Sequence, residues 1–301
     1  MKYPITIEAL EVLDAIDRKG SFAAAANALY RVPSAITYTV QKLEQDLDVT
    51  LFRKEGRRSK LTPAGKVLLE QGREILEAAQ RLATTTKQVD SGWEPSLNIA
   101  IDSVLDFEFI YPLIENFYSI QPDIEINLHE EVLAGAWESI LSDRCDLVIG
   151  APDTPAQGRG IESHALFNTE WVFAVAKHHP LARMALPLNR ADVEQYRFVV
   201  ARDSARNQPA ISKRLFTMKP VLSVPTLHAK IHAQQRGMGV GFLPRNRIQH
   251  LLDSGELINL PISQVDETSS AYIGWKTAHK GKALRWFAKQ VLLYFKNSGP
   301  Y

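Results

Sequence analysis

The spacing of apolar residues at the start of the chain predicts three consecutive helices. Residues 7–19 place their apolar side chains on one helical face, between a threonine suited to the N-cap and a glycine suited to the C-cap. Residues 22–29 predict a short second helix rich in alanine, and Pro33 suits the first turn of a third helix. The apolar positions of the third helix, from Ile36 to Leu47, also fall on one face, so the three helices can share a core.

The opposite face of the third helix carries hydroxyl and amide groups, where a surface helix ordinarily carries glutamate and lysine. The side chains on this face are those of Ser34, Thr37, Tyr38 and Gln41. Such groups reach base edges and phosphates when a helix lies in the major groove of DNA. The segment LFRKEGRRSKLT that follows predicts two short strands around Gly56, with its cations beside the minor groove. Two helices joined by a tight turn and followed by a basic hairpin are typical of a winged helix-turn-helix.

A long helix is predicted after the hairpin, because Thr62 can cap it and Pro63 suits its first turn. Its apolar residues recur every seven positions, a spacing typical of coiled coils, and small residues lie four positions away. The heptad residues are Leu68, Ile75, Leu82 and Val89, and the small residues are Ala64, Gly72, Ala79 and Thr86. The helix could instead pack on its own domain, but so small a domain offers little surface. We therefore expect the helix to form a dimer.

After a polar break at residues 90–95, apolar strands alternate with helical patterns. Strands are predicted at 97–101, 124–128 and 146–150, with helices at 107–120 and 134–142. This order indicates a parallel sheet with right-handed crossovers. A second unit spans roughly 163–266, and a final strand and helix within 271–295 can return to the first unit. Two such lobes, joined by crossing segments, place a cleft at the carboxyl ends of their strands.

Three turns are expected to face this cleft, and together with the nearby Thr226 and Phe242 they supply the candidate ligand-binding residues. The candidates are Asp102, Ser103, Val104, Leu105, Leu133, Trp137, Asp203, Ser204, Arg206, Thr226 and Phe242. Helix N-termini at the cleft offer N–H donors, which favour ligands with acceptor groups. The acidic residues of the same turns, Glu130 and Glu131 among them, disfavour a dianion and favour a neutral ligand with hydroxyl donors.

The apolar candidates suggest an aromatic ligand, since Trp137, Phe242 and two leucines could hold a ring. A small phenolic or quinol-like molecule is the resulting hypothesis. Three alternatives stay open at this point. Trp137 could belong to the core, the cleft could take another small metabolite, or no effector could exist.

Charge changes the picture once its distribution is considered. The 301 residues hold 35 Lys and Arg against 34 Asp and Glu, a net charge of +1, which by itself argues against a nucleic-acid partner. Residues 31–66, however, hold eight basic and four acidic residues, a net charge of +4. The basic residues therefore concentrate where phosphate contact would require them.

Several other functions and sites are not expected. No apolar run is long enough for a membrane helix, and the acidic residues near the start do not suit a signal peptide, so we expect a cytoplasmic protein. The single cysteine, Cys145, allows neither an intramolecular disulfide nor a CxxC pair. His228 and His232 have metal-ligand spacing but lack a third ligand. An enzyme would need a nucleophile–base pair or a cofactor motif, and a solute receptor would lack residues 1–90.

The segments GSFAAAANAL, PSAITYTVQKLEQDL and LFRKEGRRSKLTPAG resemble the DNA-binding signature of LysR-type transcriptional regulators. The resemblance implies DNA contacts by Arg31, Ser34, Ala35, Thr37, Tyr38 and Lys42 on the recognition helix and by Arg53 in the wing. The wing cations Arg57 and Arg58 are expected to anchor the phosphate backbone beside Arg53. The run from Tyr30 to Ala35 departs from the Ser-Gln-Pro-Ser-Ala pattern common in the family, and the departure concerns base preference.

The resemblance also implies a partner and an architecture for the rest of the chain. LysR-type regulators dimerise through the linker helix, and pairs of dimers commonly form tetramers. Their effector domain shares its architecture with periplasmic solute receptors. The segments EVLAGAWE and RVPSAITYTVQKLEQDLDV further resemble the subgroup that contains YhaJ, which is associated with quinol-like aromatics.

The predicted fold is thus a chain of two parts, one α+β and one α/β. A winged helix-turn-helix domain at 1–61 and a linker and dimerisation helix at 62–90 precede a two-lobed, periplasmic-binding-protein-like α/β effector domain at 91–301. Lobe I comprises 96–162 and 267–301, and lobe II comprises 163–266. The expected partners are promoter DNA, a small-molecule effector and further copies of the chain, as a dimer or tetramer, with no membrane, metal or cofactor.

Overall fold

The chain divides into two units. A computed structural model describes residues 3–55, 58–152, 160–207, 221–263 and 268–297. The first unit is Met1–Ser91 and the second is Gly92–Tyr301. Among the described residues, no helix combines the length and the apolar character that crossing a bilayer requires.

Three helices open the first unit, as the apolar spacing predicts: α1 (Ile7–Lys19), α2 (Phe22–Ala28) and α3 (Pro33–Leu47). The Thr6 hydroxyl caps α1 by accepting the Ala9 N–H at 3.2 Å. Gly20 ends the helix with φ at +75°, a left-handed conformation that glycine adopts without steric cost. The caps predicted at Thr6 and Gly20 are thus confirmed. Both were predictable because a cap residue directly adjoins the helix that it ends.

A short hairpin and a long helix complete the first unit. Strands β1 (Phe52–Glu55) and β2 (Arg58–Leu61) pair antiparallel, as predicted, and α4 (Pro63–Asp90) follows with Thr62 as its N-cap. Phe52 anchors the hairpin to the core through an edge-to-face contact with Phe22, with ring centroids 5.1 Å apart.

Lobe I of the second unit is built on a mixed sheet. Its strands are β3 (Ser96–Asp102), β4 (Glu125–Glu131), β5 (Leu147–Pro152) and β11 (Thr268–Lys276). Strand β3 lies parallel between β4 and β5, whereas β11 runs antiparallel to β5. Helices α5 (Tyr111–Tyr118) and α10 (Lys282–Asn297) pack on one face and α6 (Ala134–Leu141) packs on the other.

The helix predicted at 107–120 is shorter than expected. A 3₁₀ turn at Phe107–Phe109 precedes α5, and the helix begins with Tyr111 and Pro112. The ring of Pro112 suits the first turn of a helix and disfavours an α conformation in the preceding residue. The periodic pattern therefore continues across a boundary that the proline imposes.

Lobe II contains the remaining elements. Its strands include β7 (Phe198–Ala201), β8 (Val221–Val224), β9 (Gly241–Pro244) and β10 (Leu257–Asn259), and its helices are α7 (Arg190–Glu194), α8 (Leu227–Gln235) and α9 (Arg245–Asp253). Strands β7 and β8 form a parallel pair. Helix α9 and strand β10 have no counterpart among the sequence predictions.

One strand, β6 (Ile161–Ala176), belongs to both lobes. Its residues 161–170 pair with β11 in lobe I, and its residues 171–176 pair with β9 and β10 in lobe II. The apolar run WVFAVA predicts only the second part of this strand, because the first part is largely polar. The lobe boundary expected between residues 162 and 163 therefore falls inside a continuous strand.

Candidate functional site

The outward face of α3 presents polar side chains to solvent. Ser34, Thr37 and Tyr38 are exposed, and Tyr38 retains 66 % of its maximal exposure. Ala35 is half-buried beside them. The Thr37 hydroxyl donates to the Pro33 carbonyl at 3.0 Å, which fixes the side chain and leaves its oxygen able to accept. This face offers donors, acceptors and an aromatic ring without any change in the helix.

Two cations, one just before α3 and one within it, are held by neighbouring carboxylates. Arg31 forms an ion pair with Glu8, and Lys42 lies 3.6 Å from Asp46. All four side chains are more than a third exposed, and exposed ion pairs of this kind contribute little to stability. A phosphate group can therefore replace either carboxylate at small energetic cost.

The wing places cations opposite one another on a two-stranded ribbon. Arg53 faces Lys60 across the pair, and both are exposed. Arg58 lies on β2 opposite Glu55, whereas Arg57 lies outside the described residues. Residues opposite each other in an antiparallel pair share a face, so the ribbon carries Arg53 and Lys60 on the same side.

Glu44, which the sequence interpretation did not single out, ties the wing to α3. Its carboxylate accepts the N–H groups of Leu51 and Phe52 at 2.6 and 3.1 Å. These two residues begin the hairpin, so the position of the wing depends on a side chain of the last turns of α3. The "LE" pair at 43–44 offers no local signal for this role, because glutamate is common on exposed helix faces.

The first half of α4 packs on α1 of the same unit. Arg73 pairs with Asp14 and Asp17 at 2.7 and 2.8 Å, and these hydrogen bonds raise the pKa of the Arg73 guanidinium. A Cβ atom on Gly72 would lie 2.7 Å from a methyl group of Leu10. Gly72 thus permits close packing on α1, a role that the heptad pattern had assigned to contact with a second helix.

The second half of α4 exposes the heptad residues. Ile75, Leu82 and Val89 are exposed, with Leu82 at 69 %, whereas Leu68 is half-buried against the core of the unit. The predicted stripe is therefore divided: its first residue packs on the core of the first unit, and the next three are exposed in the part of α4 that the structure describes.

In the second unit, a segment of lobe II is bound to the start of α6 in lobe I. The Asp203 carboxylate accepts the N–H groups of Ala134 and Gly135 at 3.2 and 3.1 Å. A helix N-terminus carries partial positive charge and free donors, and a carboxylate satisfies both. Sequence reasoning had left these donors for a ligand, but Asp203 occupies them.

Further hydrogen bonds extend this contact. The Ser204 hydroxyl donates to Glu131 at 2.5 Å and accepts the Val132 N–H at 2.8 Å, and the N–H groups of Arg206 and Asn207 donate to Glu138 at 2.9 and 3.0 Å. We refer to the contacts of residues 203–207 with residues 131–138 as the inter-lobe latch. A Cβ atom on Gly135 would overlap the Ser204 hydroxyl, so the latch requires glycine there.

Strain and a buried acid lie beside the latch. Leu133 adopts φ +56° and ψ −121°, a backbone conformation that residues other than glycine rarely adopt. The carboxylate of Asp102 accepts the N–H groups of Val104 and Leu133 at 2.9 and 3.0 Å. Burial raises the pKa of Asp102 to about 7, against the effect of these hydrogen bonds and with a smaller contribution from the charges of Asp203 and Glu130.

The apolar candidates are mostly core residues. Val104 and Leu105 are buried in lobe I, and Trp137 is only 7 % exposed, with its indole N–H donating to the Pro152 carbonyl at 2.9 Å. Trp137 thus lies among core residues of lobe I, as one of the alternative interpretations expected. Phe242 is half-buried and packs edge-to-face against Phe173, so part of its ring remains accessible.

The polar candidates Ser103 and Thr226 are engaged locally. Ser103 is buried, and its N–H donates to the Glu131 carbonyl at 2.9 Å. Thr226 caps α8 by accepting the Ala229 N–H at 3.1 Å. The side chain of Arg206 is exposed at the end of the latch.

Sequence reasoning missed three cationic or amide side chains of lobe II. The Lys230 ammonium donates to the Phe242 carbonyl at 2.7 Å, and burial lowers the pKa of Lys230 to about 8. The Asn246 amide donates to the Val104 carbonyl at 3.0 Å, and Arg247 donates to the Leu105 carbonyl and pairs with Asp106 at 3.3 Å. The sequence gives little indication of these contacts, since the three residues lie on helices without a recognisable motif.

His228 and His232 lie beside each other on α8, with their Nε2 atoms 3.1 Å apart. Within the described ranges, no cluster of three or more histidine, cysteine or acidic side chains is arranged to hold a metal ion.

Two domains of known LysR-type proteins match the chain, and together they span most of it. The bacterial regulatory helix-turn-helix protein, lysR family, matches residues 7–66, and the LysR substrate binding domain matches residues 90–295. The chain belongs to the LysR family of transcriptional regulators. Members of this family are DNA-binding regulators with an effector-binding domain, not enzymes, and the fold predicted from the sequence is confirmed.

Curated LysR-family relatives match over nearly the full length. The HTH-type regulator YeeY of Escherichia coli K12 is 36 % identical over 295 residues, covering 98 % of this chain and 96 % of that protein. The probable regulator YhaJ of the same strain is 37 % identical over 288 residues, covering 95 % and 96 %. The sequence resemblance to the subgroup that contains YhaJ is thereby confirmed.

A solved structure supports the LysR-type fold independently. The structure of a C206 mutant of OxyR from Corynebacterium glutamicum aligns with a TM-score of 0.62 at 17 % identity, covering 100 % of this chain and 98 % of that one. At this identity the likeness concerns the fold alone.

Proposed function

We propose that α3 and the wing form the surface through which this LysR-type regulator reads promoter DNA. Ser34, Thr37 and Tyr38 would meet base edges or phosphates, with Ala35 against a thymine methyl group. The cations that would contact phosphates are Arg31, Lys42, Arg53, Arg57 and Arg58. The observation that carries this proposal is the exposed polar face of α3, which lies beside a basic ribbon fixed to the same helix by Glu44.

The uncovered half of α4 supports assembly through that helix. Ile75, Leu82 and Val89 would pack against the same residues of a second copy, and a dimer would present two DNA-reading surfaces and a tetramer four. We place the regulator in the cytoplasm, where promoter DNA is found. The domain limits proposed are 1–61, 62–90 and 91–301.

The effector site proposed lies between the two lobes, around the inter-lobe latch. The residues that would surround a ligand are Asp102, Ser103, Val104, Leu105, Leu133, Asp203, Ser204, Arg206, Thr226 and Phe242, with Trp137 behind them in the core. A phenolic or quinol-like ligand is favoured because its hydroxyl groups can donate to Asp102 and Asp203, while Phe242 contacts its ring. A ligand that opens or closes the latch would shift the angle between the lobes and thereby the population of DNA-binding states.

Small carboxylates are a second candidate class of effector. The position of the Lys230 ammonium group favours them. Its ammonium group is held against the Phe242 carbonyl at 2.7 Å, beside the same aromatic side chain. An anionic group in the cleft would gain from this charge, whereas the neighbouring aspartates oppose it.

A thermal-shift panel separates the two classes. Phenols, quinols, benzoates and aliphatic acids are tested against the full chain and against Lys230→Met. We expect phenols and quinols to stabilise both proteins. Stabilisation of the parent by aliphatic acids alone, lost in Lys230→Met, would reject the phenolic proposal in favour of a carboxylate.

Mapping of DNA binding sites with and without the stabilising compound tests the regulatory part. We expect the compound to change occupancy at a defined set of promoters, and Tyr38→Ala to change the preferred sequence. Unchanged sequence preference in Tyr38→Ala would remove this side chain from base recognition.

A further inference from the structure

A groove on lobe I shares no lining residue with the latch. It runs between the start of β6 and the outer side of α10 and encloses about 530 Å³. Leu284, Ala288 and Leu292 form its apolar floor, and Glu162 and His164 of β6 form one wall. We refer to it as the α10 groove.

The rim of the α10 groove is strongly basic. Lys280, Arg285, Lys289 and Lys296 line it and are exposed, whereas Glu162 is the acidic residue among the lining side chains. His164 lies 3.1 Å from Glu162 and stacks on Trp275, with ring centroids 5.5 Å apart. An occupant with carboxylates along one side and apolar groups along the other would match both the rim and the floor.

An open strand edge adjoins the same groove. Residues 161–166 of β6 pair with β11 on one side, and among the described residues no strand covers their other side. An uncovered edge presents a row of backbone N–H and C=O groups that an extended peptide can pair with. Because Glu162 and His164 belong both to this edge and to the groove wall, a peptide paired with the edge would place alternate side chains on the same face, beside the groove.

We propose that the α10 groove binds an acidic, extended segment of a partner protein, which adds a strand to β6. Backbone hydrogen bonds along 161–166 would hold the segment, and its alternate side chains would meet the cations of α10. Two copies of this chain joined edge to edge would bring two basic rims together, so like charges disfavour self-pairing here. The apolar floor and the strand edge favour a peptide over a nucleic acid, which would use the cations alone.

The first experiment uses defined peptides and the full-length chain. The probe is a short fluorescein-labelled peptide of alternating glutamate and valine, and binding is followed by fluorescence anisotropy. We expect it to bind, whereas the matching lysine–valine peptide and a probe with N-methylated alternate residues bind at least about ten-fold more weakly, through charge repulsion and loss of the backbone ladder respectively. Equal binding of the N-methylated probe would overturn strand addition.

The second experiment changes the groove. In Arg285→Glu/Lys289→Glu we expect the affinity for the acidic probe to fall at least about ten-fold. Arg183→Glu/Arg236→Glu makes the same change in charge at exposed positions of lobe II and serves as the matched control. Thermal unfolding confirms that both variants fold. If both variants lost affinity for the acidic probe equally, the loss would reflect net charge alone, and the assignment of the groove as the binding site would be overturned.

Two further readouts distinguish other occupants. A single-stranded oligonucleotide is added as competitor, and the oligomeric state of the groove variant is measured by sedimentation. Displacement of the probe by the oligonucleotide at equal concentration, or a changed oligomeric state in Arg285→Glu/Lys289→Glu, would show a nucleic-acid site or an interface between copies and would overturn the proposal. Neither effect is expected.

Discussion

Side chains proposed to meet DNA stand in solvent in the first unit, whereas the polar candidates of the second unit are already bound to one another. Tyr38 is 66 % exposed and its neighbours on α3 are exposed with it. Asp102 is 5 % exposed and accepts two backbone N–H groups, and Asp203 accepts two more from α6. Polar candidate side chains are thus exposed to solvent in the first unit and hydrogen-bonded within the protein in the second.

The difference predicts different energetic demands on binding. DNA can be met by exchanging exposed ion pairs and counterions for phosphates, with the fold unchanged. A ligand at the site proposed between the lobes would compete with the contacts of the latch, and breaking them would lower its net binding free energy. Sensitivity to ligand therefore depends on the strength of the latch as much as on ligand contacts.

The largest expected effect concerns the displayed apolar face of α4. Leu82→Lys places a charge in the uncovered stripe and removes two leucines from a symmetric dimer. Each buried leucine is worth about 1.5–3 kcal/mol, so the dissociation constant should rise at least about a hundred-fold. Sedimentation measures the change, with Gln80→Lys on the opposite side of the helix as control. An intact Leu82→Lys dimer would place the interface elsewhere.

A second prediction concerns the buried charge of Asp102. Its pKa is raised to about 7 in the folded chain from an ordinary value of 3.8. Between these pH values the folded chain holds a proton that the unfolded chain has lost, so the free energy of unfolding falls as pH rises and levels off above about pH 7. This contribution amounts to about 4 kcal/mol at most and disappears in Asp102→Asn.

Urea unfolding across this pH range measures the difference between the parent and Asp102→Asn. Asp253→Asn changes an exposed carboxylate on α9 and should leave the pH dependence as it is. Identical pH dependence in the parent and Asp102→Asn would show that this acid is not the group that titrates.

The latch itself is tested by Asp203→Asn. Removing the charge weakens the hydrogen bonds to α6, and charged hydrogen bonds are worth about 1.5–3 kcal/mol. We expect a lower free energy of unfolding and faster hydrogen exchange at the Ala134 and Gly135 amides. Glu194→Gln alters an exposed pair with Arg190 and should change stability by less than about 0.5 kcal/mol. Unaltered exchange at both amides in Asp203→Asn would contradict an internal role for this carboxylate.

The smallest expected effect belongs to a single displayed cation. Arg53→Ala should weaken binding to all DNA sequences alike and reduce the slope of log affinity against log salt by about one unit. Arg190→Ala, a cation removed from the second unit, should change neither quantity. If Arg53→Ala leaves both affinity and slope unchanged, Arg53 does not contact phosphate.

The first unit is largely predictable because its signals are local. Thr6, Gly20 and Pro33 mark helix boundaries within one turn of the elements that they bound, and the exposed face of α3 follows from spacing alone. Gly72 marks the limit of such reasoning. Its place four residues from a heptad position suggests a second helix, yet its partner is Leu10 of the same unit, distant in sequence.

The latch was not predictable, because it joins residues 68 or more apart in sequence. The candidate turns were chosen for facing a cleft, and nothing local shows that Asp203 reaches the N-terminus of α6. Gly135 was a usable signal, since a glycine at the start of a helix indicates close approach of another group. Trp137 misled for the opposite reason: an aromatic residue near a cleft pattern packs equally well in a core.

Strand β6 determines how the two lobes can move. It changes its pairing partners at Glu170 and Trp171 without a break in the backbone, so the lobes share sixteen continuous residues. A change in the angle between the lobes must therefore be accommodated within this strand, or in its pairing with β9, β10 and β11.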